Sequence, residues 1–163
     1  MRMAQQTHTL RDEIERTVKR LQIDRTRFYE YSKQRYENIL SRFYQELFEL
    51  PRRQMEYEFY PWTNIRKKWQ RAESIGLLQH DGDWASYLER VRCLLPAADD
   101  AKLYLITAED FVYEGCPPEI MRVLAETDLW LRDFYLVSTK FEWFVVYCDD
   151  GDCASLYRKG ETL

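Results

Sequence analysis

Two histidines in 163 residues leave little material for His-based metal sites or nucleophilic triads. His8 falls in a polar N-terminal tail and His80 in a His-Asp-Gly turn, and no serine stands in a G-x-S-x-G elbow. The five glycines are isolated. Neither G-x-G-x-x-G nor G-x-x-x-x-G-K-[ST] occurs, which argues against dinucleotide-binding and P-loop chemistry. Four cysteines, Cys93, Cys116, Cys148 and Cys153, include no C-x-x-C pair, so zinc-ribbon and thioredoxin-like functions fall away. Cys148 and Cys153 bracket a turn where a disulfide is sterically possible, but an intracellular chain favours two reduced thiols. No apolar run approaches the roughly 18 residues of a membrane helix. The first 21 residues are polar and charged, unlike a signal peptide, and a cytoplasmic location is expected.

What the chain has in quantity is ring surface. Twelve Tyr, eight Phe and five Trp make 15% of it, enough to build a packed core without a metal or disulfide staple. Charge is abundant and uneven. Residues 1–75 hold 16 Lys and Arg against 11 Asp and Glu, a net +5, whereas residues 76–163 hold 8 against 17, a net −9. Such asymmetry points to a charged partner or to halves that face each other.

Leu10, Ile14, Val18 and Leu21 share one face of a helix over 9–22, with Thr9 and Asp12 as a capping pair. Asp24 is a candidate cap for a second, long aromatic helix that Pro51 stops, so residues 9–50 read as two helices after a tail at 1–8. Met55 to Tyr60 alternates like a half-buried strand, giving sheet-forming residues at 54–60. Thr63 caps a third helix that Gly76 ends, and Asp83 caps a fourth through Trp84, Tyr87, Leu88 and Val91. Lys102 to Thr107, Phe111 to Tyr113, Asp133 to Val137, Phe141 to Tyr147 and Ala154 to Arg158 read as strands, with a Pro117 or Pro118 helix between the second and third. The expected architecture is one α+β domain over 1–163. Its helical N-terminal half packs on a small, mainly antiparallel sheet formed by the C-terminal half, mostly from residues 102–158.

Metal binding, acid–base catalysis, nucleic-acid binding and protein binding remain. Asp149-Asp150-Gly151-Asp152 fails as a calcium loop, because the twelfth position from Asp149 is Gly160 where a bidentate Glu is required. No metal and no cofactor are expected. Glu109-Asp110, Glu56/Glu58 and Asp81/Asp83 would act as acid–base pairs only if the fold made them converge, and acidic turns are common. Arg11, Arg16, Lys19, Arg20, Arg25, Arg27, Lys33, Arg35 and Arg42, with Arg66, Lys67, Lys68 and Arg71, interleave with tyrosines and suggest nucleic acid. Acidic neighbours and a pI near 5.3 dilute that stripe, so nucleic acid is the alternative reading. The acidic turns suggest the opposite, a field that steers a basic protein, with rings at Tyr113, Trp130 or Trp143 as anchors. The expected contact set is Asp110, Tyr113, Glu114, Asp149, Asp150 and Asp152. The 25–50 helix also offers a surface for homodimer formation.

Leu103-Tyr104-Leu105-Ile106, Glu109-Asp110, Val112-Tyr113-Glu114-Gly115 and Asp133 to Trp143 together resemble a family of small uncharacterised bacterial cytosolic proteins. Its pattern is a W-F-I-x-E-D-like strand, a Y-E-G turn and a (D/Y)-Y-I-V-S-x-K-x-x-W hairpin. The resemblance covers about residues 88–157 and departs at Cys148 to Cys153, where a polar segment is expected. Several such families look like immunity proteins of polymorphic toxin systems. The resemblance therefore implies a non-enzymatic protein that neutralises a basic toxin domain by masking its active surface.

Overall fold

A computed structural model describes residues 8–48, 74–127, 131–150 and 152–159. The fold is α+β, built on a seven-stranded sheet whose neighbouring strands are all antiparallel. The strands are β1 (Phe28–Glu30), β2 (Gly76–Gln79), β3 (Leu103–Thr107), β4 (Val112–Gly115), β5 (Phe134–Ser138), β6 (Trp143–Cys148) and β7 (Cys153–Arg158). They lie in the order β1-β4-β3-β5-β6-β7-β2. Four helices flank them among the described residues: α1 (Leu10–Arg20), α2 (Tyr36–Phe48), α3 (Trp84–Leu94) and α4 (Pro117–Glu126).

Helices cover both faces of the sheet. On one face Ile14 and Val18 of α1, Tyr87 and Val91 of α3, and Ile120 and Leu124 of α4 pack on Leu105, Phe134, Leu136 and Val145. On the other, α2 sets Ile39, Phe43, Leu47 and Phe48 against Ile106, Tyr135, Val137, Phe144 and Val146. Double coverage explains why β3, β5 and β6 are buried at every residue and read as unbroken apolar runs. The apolar face of α2, which lies in the 25–50 segment expected to offer a homodimer surface, is buried on its own sheet.

Local signals decide the helix starts. The Thr9 side chain accepts from the Asp12 N–H while the Asp12 carboxylate accepts from the Thr9 N–H, a closed capping box. Asp83 accepts from Ser86 N–H at 3.0 Å. Pro117 sits in the first turn of α4, where its missing N–H removes no helical bond.

The expected helix from Asp24 to about Leu50 is corrected. Asp24 instead accepts from the Thr26 N–H at 2.8 Å and makes a turn, and β1 follows. Phe28 points to the three-helix face and stacks on Tyr113, while Tyr31 meets Tyr104 edge-on from the α2 face. That alternation is a strand period, and pairing with β4 satisfies the backbone. The helix proper begins at Tyr36. Gly76 likewise opens β2 and does not close a helix. The sheet is thus larger than expected, and its edge strands β1 and β2 come from ahead of residue 80. The tail over 1–7, the strand over 55–60 and the helix from Thr63 to residue 73 lie outside the described residues.

Candidate functional site

The register brings six strand ends to one edge of the sheet. Thr107 pairs with Phe134, Phe134 with Tyr147, Ile106 with Val112, and Cys153 with both Cys148 and Gln79. The β3–β4 turn carrying Glu109 and Asp110 and the β6–β7 turn carrying Asp149, Asp150 and Asp152 therefore project from the same end. With strands about 4.8 Å apart, the two turns lie about 14 Å from each other, with β5 between them. Asp133, at the head of β5, ties them together. Its carbonyl accepts from Ala108 N–H at 3.2 Å and its carboxylate from Asp149 N–H at 3.0 Å. Arg132 stands beside it and is the basic residue of that loop.

Backbone demands account for two of these acids. Asp110 and Asp152 both adopt left-handed conformations, φ 62 and φ 46, where Asp, Asn and Gly are the tolerated residues. Asp152 is further held by its neighbours. Its Oδ1 accepts from the Tyr147 hydroxyl at 3.0 Å, and its carbonyl accepts from the His80 N–H and from the Gln79 amide. Burial, followed by this contact with Asp152, pushes the Tyr147 phenol above its ordinary range.

Beside that turn opens a cleft of about 180 Å³, lined by His80, Trp84, Leu131, Tyr147, Asp149 and Asp152. Its walls are rings. His80 and Trp84 have centroids 5.3 Å apart, Trp84 and Tyr147 5.0 Å, and Phe134 stacks under Tyr147 at 5.3 Å. Trp84 is fixed by its Nε1–H, which donates to the Leu124 carbonyl at 3.0 Å. His80, placed in a turn by the sequence, is half-buried here. Its side chain is 24% exposed, and its Nε2 is buried with no hydrogen-bond partner among the described residues. Its Nδ1 stands 3.8 Å from Asp152 Oδ1, outside hydrogen-bond range.

Four of the expected contact residues, Asp110, Asp149, Asp150 and Asp152, share this end. Two do not behave as expected. Tyr113 is 3% exposed, and its ring lies flat on Phe28 inside the three-helix core, so it is corrected from surface anchor to core residue. Glu114 points from β4 to the α2 face, opposite Tyr29 and Tyr104 and away from the turns. There, burial first and a hydrogen bond to Glu114 second push the Tyr29 phenol up to about 12. Trp143 is also core, and Trp130 lies outside the described residues. Sequence reading missed His80, Trp84, Leu131 and Tyr147 as a group. They come from separate segments that only the β2–β7 and β6–β7 pairings unite.

The basic helices are largely neutralised within the chain. Arg11 pairs with Glu30, Arg16 with Glu13, Lys19 and Arg25 with Glu15, and Arg42 with Glu46. Arg20 reaches Glu126 at 3.1 Å and Arg27 reaches Glu119 at 2.6 Å, so part of the basic half faces the acidic half inside the molecule. Arg66, Lys67, Lys68 and Arg71 lie outside the described residues.

Cys148 and Cys153 do face each other across the hairpin, with no disulfide joining them. Burial pushes the Cys153 thiol up, which makes it a weaker nucleophile and ligand. Asp133, Cys148 and Asp149 bring one donor atom each within 4.8 Å of the others. Two carboxylates and a thiol suit neither a calcium shell of six to eight oxygens nor a closed tetrahedral site. Asp133 is already engaged by Asp149 N–H.

A family of unknown function, DUF6756, matches residues 6–162. The chain belongs to that family. No curated protein and no solved structure matches it. No helix among the described residues is long and apolar enough to cross a membrane.

Proposed function

We propose that this chain is a non-enzymatic, cytoplasmic protein-binding protein whose recognition face is the acidic end of the sheet. One observation carries the reading: the strand register sets two acidic turns at the same end, beside a cleft walled by aromatic rings. Carboxylates spread over about 14 Å of a rigid edge give a negative field that steers a basic partner and speeds its encounter. Trp84, half-buried, supplies the aromatic surface that anchors such interfaces, and the buried Tyr147 ring backs it. The form we favour is an immunity protein that masks the basic active surface of a toxin domain, and the resemblance over residues 88–157 supports it. For a nuclease, the carboxylates of Asp110, Asp149, Asp150 and Asp152 would stand where substrate phosphates stand.

The test is a pull-down of the tagged protein from native lysate at two salt concentrations, with and without nuclease. The expected result is a stoichiometric basic protein that survives nuclease and is lost when Asp149, Asp150 and Asp152 are all changed to Lys. Recovery of nucleic acid that high salt removes, or capture indifferent to the triple change, would overturn the proposal.

A further inference from the structure

We infer that the cleft between α3 and the β6–β7 turn is a socket for one arginine side chain. The inference deepens the proposed function and rests on it for the source of that arginine, a protein partner.

Size is the first argument. At about 180 Å³ the cleft lies below the roughly 300–1,000 Å³ of sites that enclose whole small molecules, and it suits a single side-chain head. Chemistry is the second. Its walls are the faces and edges of His80, Trp84 and Tyr147, and its polar groups are the carboxylates of Asp149 and Asp152. Rings with carboxylates beside them select a cation. A guanidinium fits better than an ammonium, because it is planar, weakly hydrated, stacks on rings and presents several donors in one plane. The third argument is access. Asp149 is exposed and the Asp152 side chain is 63% exposed, so both carboxylates are open to a cation that enters the cleft. The fourth is preorganisation. Trp84 is pinned to Leu124, Tyr147 is stacked on Phe134, and Tyr147 holds Asp152 through Oδ1, so little ordering remains to be done on binding.

The test uses the full chain and three probes: Nα-acetyl-arginine amide, its lysine counterpart and the uncharged citrulline counterpart. Nuclear magnetic resonance would follow the Trp84 indole N–H and the Tyr147 ring. The arginine probe should shift both saturably, with an affinity about tenfold above that of citrulline, as one charge-assisted and ring-stacked contact warrants. The lysine probe should fall between them. Changing Asp149→Asn together with Asp152→Asn should remove most of that preference. Asn tolerates the φ of 46 at Asp152, so the variant keeps its fold, and its unchanged spectrum away from the cleft would show this. Equal binding of arginine and citrulline, shifts that avoid the cleft, or undiminished binding by the Asn variant would each overturn the socket. Failure of the socket is separable from failure of the proposed function. If the arginine probe does not bind while charge reversal still abolishes partner capture, the socket falls and the acidic face stands. If the probe binds while charge reversal leaves capture unchanged, the socket stands and the partner reading falls.

Discussion

At one end of the sheet the loops carry Asp110, Asp133, Asp149, Asp150 and Asp152; at the other they mix Asp99, Asp100 and Glu142 with Lys102, Lys140 and Lys159. Each end has a cleft, and the far one is the larger, about 310 Å³ against about 180 Å³. It is lined by Pro96, Ala97, Lys102, Lys140 and Glu142, with a single aromatic wall at Trp143. Charges near it close on each other, as Arg92 does on Asp99 at 2.7 Å and Arg27 on Glu119 at 2.6 Å. The comparison teaches that recognition here follows convergence, not volume. Rings and like charges gather at one end, whereas the charges near the other pair with each other.

Both ends rest on one core, so the largest expected effect erases the difference between them. Phe144 is fully buried on the α2 face among Phe43, Phe48, Tyr135 and Tyr157. Phe144→Ala should cost about 3–5 kcal/mol, read as a fall in the urea midpoint with no selectivity for either end. Gly115→Ala strikes the far end alone. A Cβ there would sit 2.8 Å from the Arg27 carbonyl, a backbone atom of β1's approach that cannot swing aside. The expected loss is about 1–3 kcal/mol, with partner binding at the acidic end preserved once the variant is folded. A variant as stable as the wild type would show that β1 is not held as described.

At the acidic end, turn geometry and charge can be separated. Asp110→Ala places a Cβ-bearing residue without a local side-chain acceptor at φ 62 and should cost about 1 kcal/mol, whereas Asp110→Asn should cost almost nothing. Equal losses would mean that the carboxylate charge, not the backbone, sets the residue. Titration gives the gentlest change. Burial first of all raises the Tyr29 and Tyr87 phenols to about 12, above their ordinary value of 10.0. Protonation is therefore favoured by folding. That contribution is whole below pH about 10 and is lost as pH rises through about 12, so urea midpoints should decline across this window. Tyr29→Phe should soften the decline.

How much of this could be seen in the sequence varies with how local the cause is. Thr9 with Asp12, and Asp83 with Ser86, are decided within four residues, and the helix starts are legible. The runs at 103–107, 134–138 and 143–148 are legible because a doubly covered strand must be apolar throughout. Tyr113 was harder to place, because β4 is only four residues long and its Glu114 is itself half-buried against the α2 face. β1 was illegible because Phe28 and Tyr31 fit a three-residue helical step as well as their strand alternation, and only pairing with β4 decides between them. The acidic hairpin turn was legible from its Asp-Gly signal, but its shared end with the β3–β4 turn needs the register. His80, Trp84 and Tyr147 are 67 residues apart at their furthest in numbering and become neighbours through β2, β7 and β6.

The most direct measurement compares association kinetics of the captured partner with three chains at low and physiological salt. They are the wild type, Asp149→Lys with Asp150→Lys and Asp152→Lys, and Lys102→Glu with Lys140→Glu. The acidic end is the recognition face if the first variant associates about tenfold or more slowly at low salt while the second matches the wild type. Unchanged association by the Asp variant, or an equal loss from the far-end variant, would contradict it.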